Sequence, residues 1–526
     1  MEITFLNNIA SSLVCIIIIA WVWKTLNWIW LKPKALEKRL TKQGLQGHPY
    51  KVLYGNTKDI AKMVNETNSK PMESFSNDYV PRIFPFHLQT IKSYGEKSFV
   101  WDGPTPTVII TKPEEIREIF MKIYDFTKII PHPFVKRITN GLTRLEGQKW
   151  AQDRKLLNPA FHMEKLKHMV PAFEASSNTM IQEWEKMTSK TGSSEPEIWS
   201  YLHNLSADAI SRAAFGSSFE EGRRVFELLR EHISITTKSI QSVYIPGSRF
   251  LPTKTNKREA NILHEMKSLL KEMILRRQKE MENGEAAKDD LLGLLLKSNL
   301  EEIQDHQFLH GNNKQQHFKM GMKEIIEECK MFYIAGQETI STLLTWTLVL
   351  LSKHQHWQEQ AREEIIAIFG HDTPHLEGLN QLKKVNMILH EVLRLYPAVP
   401  SLTRRVSHEM KLGDTILPAG VQVKLALIDV HQSEKYWGSD AKEFNPDRFA
   451  QGILNATGGK MCFFGFGWGP RICIGSNFAM MQAKMALSMI LQRFSLDLPP
   501  SYEHAPTNSR GTLRPQFGAN LILRRI

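Results

Sequence analysis

Hydrophobic positions along the chain fall into distinct regimes. Residues 9–31 are apolar almost without a break, with isoleucines at 16–19, tryptophans at 21, 23, 28 and 30, and Lys24 as the single charge. A run of this length suits one membrane-spanning helix of about 20 residues with indoles at one interface. Residues 32–80 turn polar and basic, punctuated by Gly44, Gly47, Pro49 and Gly55, as a linker and lead-in segment would be. From residue 81 onward the pattern is that of a folded domain. Apolar residues alternate at 97–101 and 107–111 around Gly103-Pro-Thr-Pro106, which predicts a hairpin, and Pro113-Glu-Glu opens a helix. Helical spacing covers 173–187, 258–283, 320–351 and 478–491, with short strands near 421–427 and 520–524. The charged stretch 254–288 reads as a solvated amphipathic helix, and the Gln-, Asn- and His-rich 306–317 as a loop.

Charge orients the first segment. Lys32, Lys34, Lys38 and Arg39 crowd its C-terminal side, whereas its N-terminal flank carries only Glu2 and the terminal amine. The positive-inside rule leaves the N-terminus lumenal and the remainder cytosolic. A cleaved signal peptide would need a basic leader and a small-residue cleavage site, and neither is evident. The expected organisation is a membrane anchor at 1–31, the basic segment at 32–80 and one domain at 81–526, although length alone would allow three or four domains of about 150 residues.

The chain of 526 residues is 42% hydrophobic and 23% charged, ordinary for a globular protein with a large core. Its net charge of +12 fits an acidic partner or an anionic membrane surface. Nucleic acid is disfavoured, because no C-x-x-C finger, recognition motif or basic run interleaved with aromatics accompanies the charge. Cys15, Cys329, Cys462 and Cys473 lack the spacing of a disulfide framework or zinc site, which agrees with a reducing cytosol.

One of these cysteines has an unusual neighbourhood. Around Cys473 stand Phe466, Gly469, Arg471 and Gly475, just before the helical run at 478–491. A thiolate ligand needs close backbone approach, a nearby cation and, where available, a helix N-terminus, and all three are present. Cys462 has neither the glycine two places on nor the arginine two places back. A second anomaly is Ala335-Gly-Gln-Glu-Thr339, inside a periodic segment of about 30 residues that would run for about 45 Å as one helix. Gly336 costs roughly 1 kcal/mol there against alanine, and Thr339 is a poor interior residue unless its hydroxyl has work to do.

The stretch Phe-x-x-Gly-x-Arg-x-Cys-x-Gly at 466–475 resembles the haem-binding signature of the cytochrome P-450 superfamily. Four further pieces match in the expected order. Trp150 and Arg154, one helical turn apart, resemble a pair that reaches the haem propionates; Arg471 resembles another propionate contact, as does Arg404 or its neighbour Arg405. Phe466 matches the ring packed beside the sulfur. Glu391, Arg394 and Arg448 of Phe444-Asn-Pro-Asp-Arg-Phe449 resemble a buried charged network behind the haem loop, structural in role. Glu338 and Thr339 match an acid and alcohol that hold a water chain delivering protons to the reacting oxygen. Over its length beyond the anchor the chain is similar to the plant family seventy-two, which includes secologanin synthase, in Phe84-Pro-Phe86, Phe464-Gly-Phe466 and Pro515-Gln-Phe-Gly-Ala519. Ile340 departs from relatives, which commonly carry a second threonine there, so the relay rests on Thr339. Ser509-Arg-Gly511 departs in a turn that lines the substrate pocket of relatives.

The resemblance implies a mainly α fold with a small β region, behind a single-pass anchor in the endoplasmic reticulum membrane. It implies haem b with an axial thiolate from Cys473, electrons from NADPH through a flavin reductase, and dioxygen as co-substrate. One oxygen atom would enter a C–H bond of a bulky apolar plant metabolite, terpenoid-derived: triterpenoid, sterol, iridoid or gibberellin. Basic residues near 510 would suit a carboxylated one. Arg144, Lys149, Arg154, Lys155 and Lys484 are candidates for the reductase footprint, and 129–140, 233–250, Phe332, Ala335, 399–402 and 510–513 for the substrate pocket. A haem-thiolate isomerase or dehydratase without dioxygen, or a non-catalytic membrane haem protein, are the alternatives; Thr339 and the uninterrupted cysteine loop speak against the first.

Overall fold

The computed structural model describes residues 2–129, 135–138, 140–216, 219–240, 250–284, 290–297, 320–509 and 511–526. The 306–317 run and Arg510 lie outside them, as do parts of 129–140 and 233–250. Two compact units are present: Met1–Lys70 with Val80–Ile129 and Ser401–Ala426, and Pro71–Tyr79 with Ile130–Pro400 and Leu427–Ile526. The fold is mainly α with small sheets, as expected.

The first unit begins with α1 (Glu2–Leu26), followed by one π turn (Asn27–Leu31) and α2 (Lys32–Lys42). Residues 7–42 are long and apolar enough to cross a membrane, and the apolar side chains at 16–19 stand in the open. The Tyr50 hydroxyl donates to the Ile29 carbonyl inside the π turn at 2.7 Å. In α2 the spacing changes function: Pro33, Leu36 and Leu40 face inward at i, i+3 and i+7, so this basic helix packs through one stripe. Helices α3 (Thr57–Asn68), α4 (Pro85–Tyr94) and α5 (Pro113–Met121) accompany a six-stranded sheet. Its strand order is Gln46–Gly47, Ser98–Asp102, Thr105–Ile110, Gln422–Leu425, Leu402–Val406, Phe126–Lys128. The expected hairpin is there, with Val100 opposite Thr107, and its second strand runs parallel to Gln422–Leu425. Phe86, Val100, Ile109 and Ala426 form the core beneath α3 and α4.

The second unit is helical: α6 (Gly147–Leu157), α7 (Val170–Thr188), α8 (Ile198–Phe215), α9 (Phe219–Ile240), α10 (Lys254–Glu282), α11 (Met322–Lys353), α12 (Gln355–Phe369), α13 (Lys383–Leu395) and α14 (Ser476–Leu491). Its strands Phe494–Asp497, Ile522–Arg525 and Ser193–Ser194 form one small sheet, and Pro506–Ser509 with Thr512–Pro515 a separate hairpin. The 32-residue α11 is the central rod, buried over nearly its whole C-terminal half. Glu324 caps its start by accepting the Gly321 N–H at 2.8 Å. Gly336 answers to packing: a Cβ there would stand 2.8 Å from Ile210 Cγ1 of α8, too close for any side chain. The helix is α throughout this stretch. The glycine therefore lets α8 and α11 approach.

Candidate functional site: a cysteine loop and a buried charged network

Residues 464–475 wind into a tight loop ahead of α14. Gly467 and Gly469 take φ of 75° and 71°, where a side chain would be strained. The Cys473 N–H donates to the Phe466 carbonyl at 3.0 Å, closing the loop around the ring-bearing residue. Cys473 lies three residues before the first residue of α14, as the pattern predicts. Its side chain presents open surface, yet protein crowds it on most sides. Burial pushes the thiol up, opposed by the Gly475 N–H and the Arg154 guanidinium. Cys462 is buried, as its plain neighbourhood predicts.

Three sequence-predicted side chains gather at this loop. Arg154 Nη1 donates to the Ile472 carbonyl at 2.9 Å and its Nε to Asn158 Oδ1 at 2.7 Å. Arg471 lies over the Trp150 ring, 4.3 Å from its centroid, and donates to the Leu145 carbonyl at 2.9 Å. It also pairs with Glu146 at 2.8 Å, a carboxylate that sequence reasoning missed and that sits immediately before α6. Trp150 and Arg154 share one face of α6 because i and i+4 positions do so. Gly475 faces Phe161, whose ring stacks on Phe332 of α11 at 5.4 Å. The loop is thus joined to the helix bearing Glu338 and Thr339.

This donor set fits an iron porphyrin. A soft sulfur is exposed on the loop, and two guanidiniums and an indole gather at the same loop, where a cofactor's carboxylates would find partners. Cys473 would ligate the iron, and Arg154, Arg471 and Trp150 would hold the carboxylates.

On α11, the Thr339 hydroxyl donates to the Ala335 carbonyl at 2.7 Å, which leaves its oxygen free to accept. Glu338 is nearly buried and pairs with Arg514 at 2.6 Å. Arg514 belongs to the Thr512–Pro515 strand, tied inward where the Leu513 N–H donates to the Ala398 carbonyl and the Leu513 carbonyl accepts from the Trp346 indole. Arg404 lies in the first unit, on the strand Leu402–Val406, where its Nη1 donates to the Thr403 carbonyl.

Behind the loop, Glu391 and Arg394 of α13 are fully buried and form a two-pronged pair, 2.7 Å on each side. Glu391 also accepts the Asn445 N–H at 2.9 Å, and Arg394 donates to the carbonyls of His431, Ala441 and Glu443. Arg448 Nε stands 3.5 Å from Glu391, and its other nitrogens reach Asp440 and the Trp437 carbonyl. The predicted trio is therefore a physical network.

His431 connects it to the cysteine loop, and no sequence signal marked it. Its Nε2 accepts the Phe464 N–H at 2.8 Å, so the ring proton sits on Nδ1 and is given to the Arg394 carbonyl. Burial, helped by Arg394, pushes this imidazole down to about 3, which keeps it neutral and able to accept.

Comparison with known proteins is direct. A family model described as Cytochrome P450 matches residues 82–522. Cytochrome P450 CYP72A219 of Panax ginseng is 49% identical over 98% of this chain and 98% of its own. Echinocystic acid 23-monooxygenase of Saponaria officinalis is 48% identical over 99% of each chain. Secologanin synthase 1 of Catharanthus roseus is 46% identical over 100% of this chain and 99% of its own.

Proposed function

The chain belongs to the cytochrome P450 family, and from that premise we propose that it is a reductase-dependent monooxygenase acting on a bulky, apolar, terpenoid-derived metabolite. Monooxygenation is the family's activity. The observation that carries the reading is Cys473, exposed on a loop held by Arg154 and carrying Arg471 over the Trp150 ring. When bound, haem would supply dioxygen activation, aided by electron donation from the cysteine thiolate.

The chain's own residues do the rest. Cys473 Sγ would hold the iron. Arg154, Arg471 and Trp150 would orient the cofactor through its carboxylates, with Arg471 exchanging Glu146 for one of them. Arg404 would serve as a further carboxylate contact, Phe466 would pack beside the sulfur, and Gly475 would allow close approach. Glu338 and Thr339 would pass protons to the reacting oxygen, and Phe332 and Ala335 of the same helix would line the substrate pocket. Glu391, Arg394 and Arg448 hold the loop's scaffold.

The names of two relatives, an echinocystic acid 23-monooxygenase and a secologanin synthase, support a terpenoid-derived substrate. Arg514, beside the 510 stretch, is committed to Glu338 and adds nothing for a substrate carboxylate. The test is incubation of microsomes containing the protein with reductase, NADPH and a panel of triterpenoids, sterols, iridoids and gibberellins. A product heavier by one oxygen atom from any of them supports the class; none from all four sinks it.

Electrons come from NADPH through a flavin reductase with an acidic docking face. Lys155 is the exposed candidate on α6. Lys149 is paired with Asp153 and Glu324, at 2.9 and 2.7 Å, and Lys484 donates to the Leu379 carbonyl. Reversing Lys155 and Arg144 to glutamate is expected to slow reduction by the reductase about three- to tenfold at low ionic strength and to flatten its salt dependence in stopped-flow traces. Unchanged traces would remove this face from docking. The domain is tethered in the endoplasmic reticulum membrane by α1, with the N-terminus lumenal; the exposed apolar surface of α1 supports this.

A further inference from the structure

His203 of α8 is buried, and its two ring nitrogens meet different chemistry. Nδ1 is approached by Gln337 Nε2 at 3.0 Å and by Arg230 Nη2 at 3.3 Å. A guanidinium has only hydrogens to give, so Nδ1 is the acceptor and carries no proton. The ring hydrogen of the neutral imidazole then sits on Nε2, which faces Glu338 Oε1 at 3.5 Å. Glu338 is fixed from its other side by Arg514 at 2.6 Å, whose guanidinium lies 5.4 Å from the Trp199 ring centroid. Arg230, on α9, is exposed. Polar groups therefore run in order from the surface, through His203, to the acid adjacent to Thr339.

We propose that His203 supplies protons to Glu338 from the solvent side of α9. This deepens the reading of Glu338 and Thr339 as a proton relay and rests on it. His203 acts through Glu338 and is a positioning residue in that sense. Among the groups at hand only the imidazole has one nitrogen that gives a proton and another that takes one, since the Arg230 guanidinium and the Gln337 NH2 can only donate.

The transfer is balanced without electrons. The Nε2 proton passes to a Glu338 oxygen while a hydronium ion on the solvent side gives a proton to Nδ1 and is left as water, so one proton moves from solvent to the carboxylate. Rotation of the ring, or return through its charged form, restores the starting tautomer. Water reaches Nδ1 only when the Arg230 side chain swings off it, which its exposed position permits. Arg230 is thus the gate and Arg514 the fixed anchor that keeps Glu338 within reach.

Two measurements on the full-length holoprotein test this. Solid-state ¹⁵N spectra of histidine-labelled protein, minus those of His203→Gln, report the His203 ring without any turnover. The expected signature is a bare Nδ1 and a protonated Nε2; a proton on Nδ1 overturns the proposal. The second measurement is coupling. Glutamine keeps an N–H for Glu338 but cannot relay a proton, so His203→Gln is expected to make roughly tenfold less product per NADPH, with a solvent deuterium isotope effect raised about twofold and haem content unchanged. His203→Phe removes both functions and is expected to fall at least as far. Wild-type coupling and isotope effect in His203→Gln would make His203 purely structural and overturn the proposal. Failure of the monooxygenase reading looks different: the unmodified enzyme itself then gives no product.

Discussion

Cys473→Ala is expected to abolish the long-wavelength Soret band of the reduced, carbon monoxide-treated protein and to bring NADPH-driven product below detection. The band reports thiolate ligation, and Cys473 is the exposed cysteine of the loop that Arg154 holds and that carries Arg471. Alanine keeps the loop backbone intact, including the N–H to the Phe466 carbonyl, so the loss is one of ligation rather than of folding. Cys462→Ala is the internal control. Its side chain is buried, and removing a small buried group costs about 1 kcal/mol, leaving the band in place. A band that survives Cys473→Ala would overturn the assignment of the ligand.

Glu391→Ala is the second large effect, and it acts on stability. Glu391 and Arg394 are both fully buried, and Arg394 also holds three backbone carbonyls. Removing the carboxylate leaves a guanidinium without its counter-charge in a dry interior, a loss of about 3–5 kcal/mol. Folded proteins have about 5–15 kcal/mol in total, so little or no folded haem protein is expected. The damage also spreads to the loop, because Arg394 and the Phe464 N–H share His431. Replacing both partners, as Glu391→Leu with Arg394→Met, removes the unpaired charge and is expected to recover part of the yield. Equal unfolding midpoints for Glu391→Ala and the unmodified protein would show that the pair does not support the fold.

Local signals were legible. A continuous apolar run needs no tertiary context to be a helix exposed to something apolar, and α1 follows from it. Trp150 and Arg154 share a face because of helical spacing, and Glu391 and Arg394 do so at i and i+3. Gly469, marked in the sequence for close backbone approach, takes φ 71° in the loop. By contrast Glu146, His431, His203 and Arg514 carried no signal. Each owes its role to a partner more than 30 residues away, such as Arg471 for Glu146 and Glu338 for Arg514. Gly336 was marked correctly as an anomaly, but its physical cause, the approach of Ile210, belongs to a neighbouring helix.

Sequence alone determined where the cysteine loop lies, the helix periods, the exposed apolar segment and the pairs that one helical turn brings together. These depend on backbone geometry and on neighbours a few residues apart, which are written in order along the chain. Only the tertiary structure decided which nitrogen of His431 accepts the loop's N–H, which carboxylate meets Arg471, and that Glu338 lies between Arg514 and His203. Those choices come from long-range packing, where a buried charge or imidazole must find a partner from a distant segment because water is no longer there to serve.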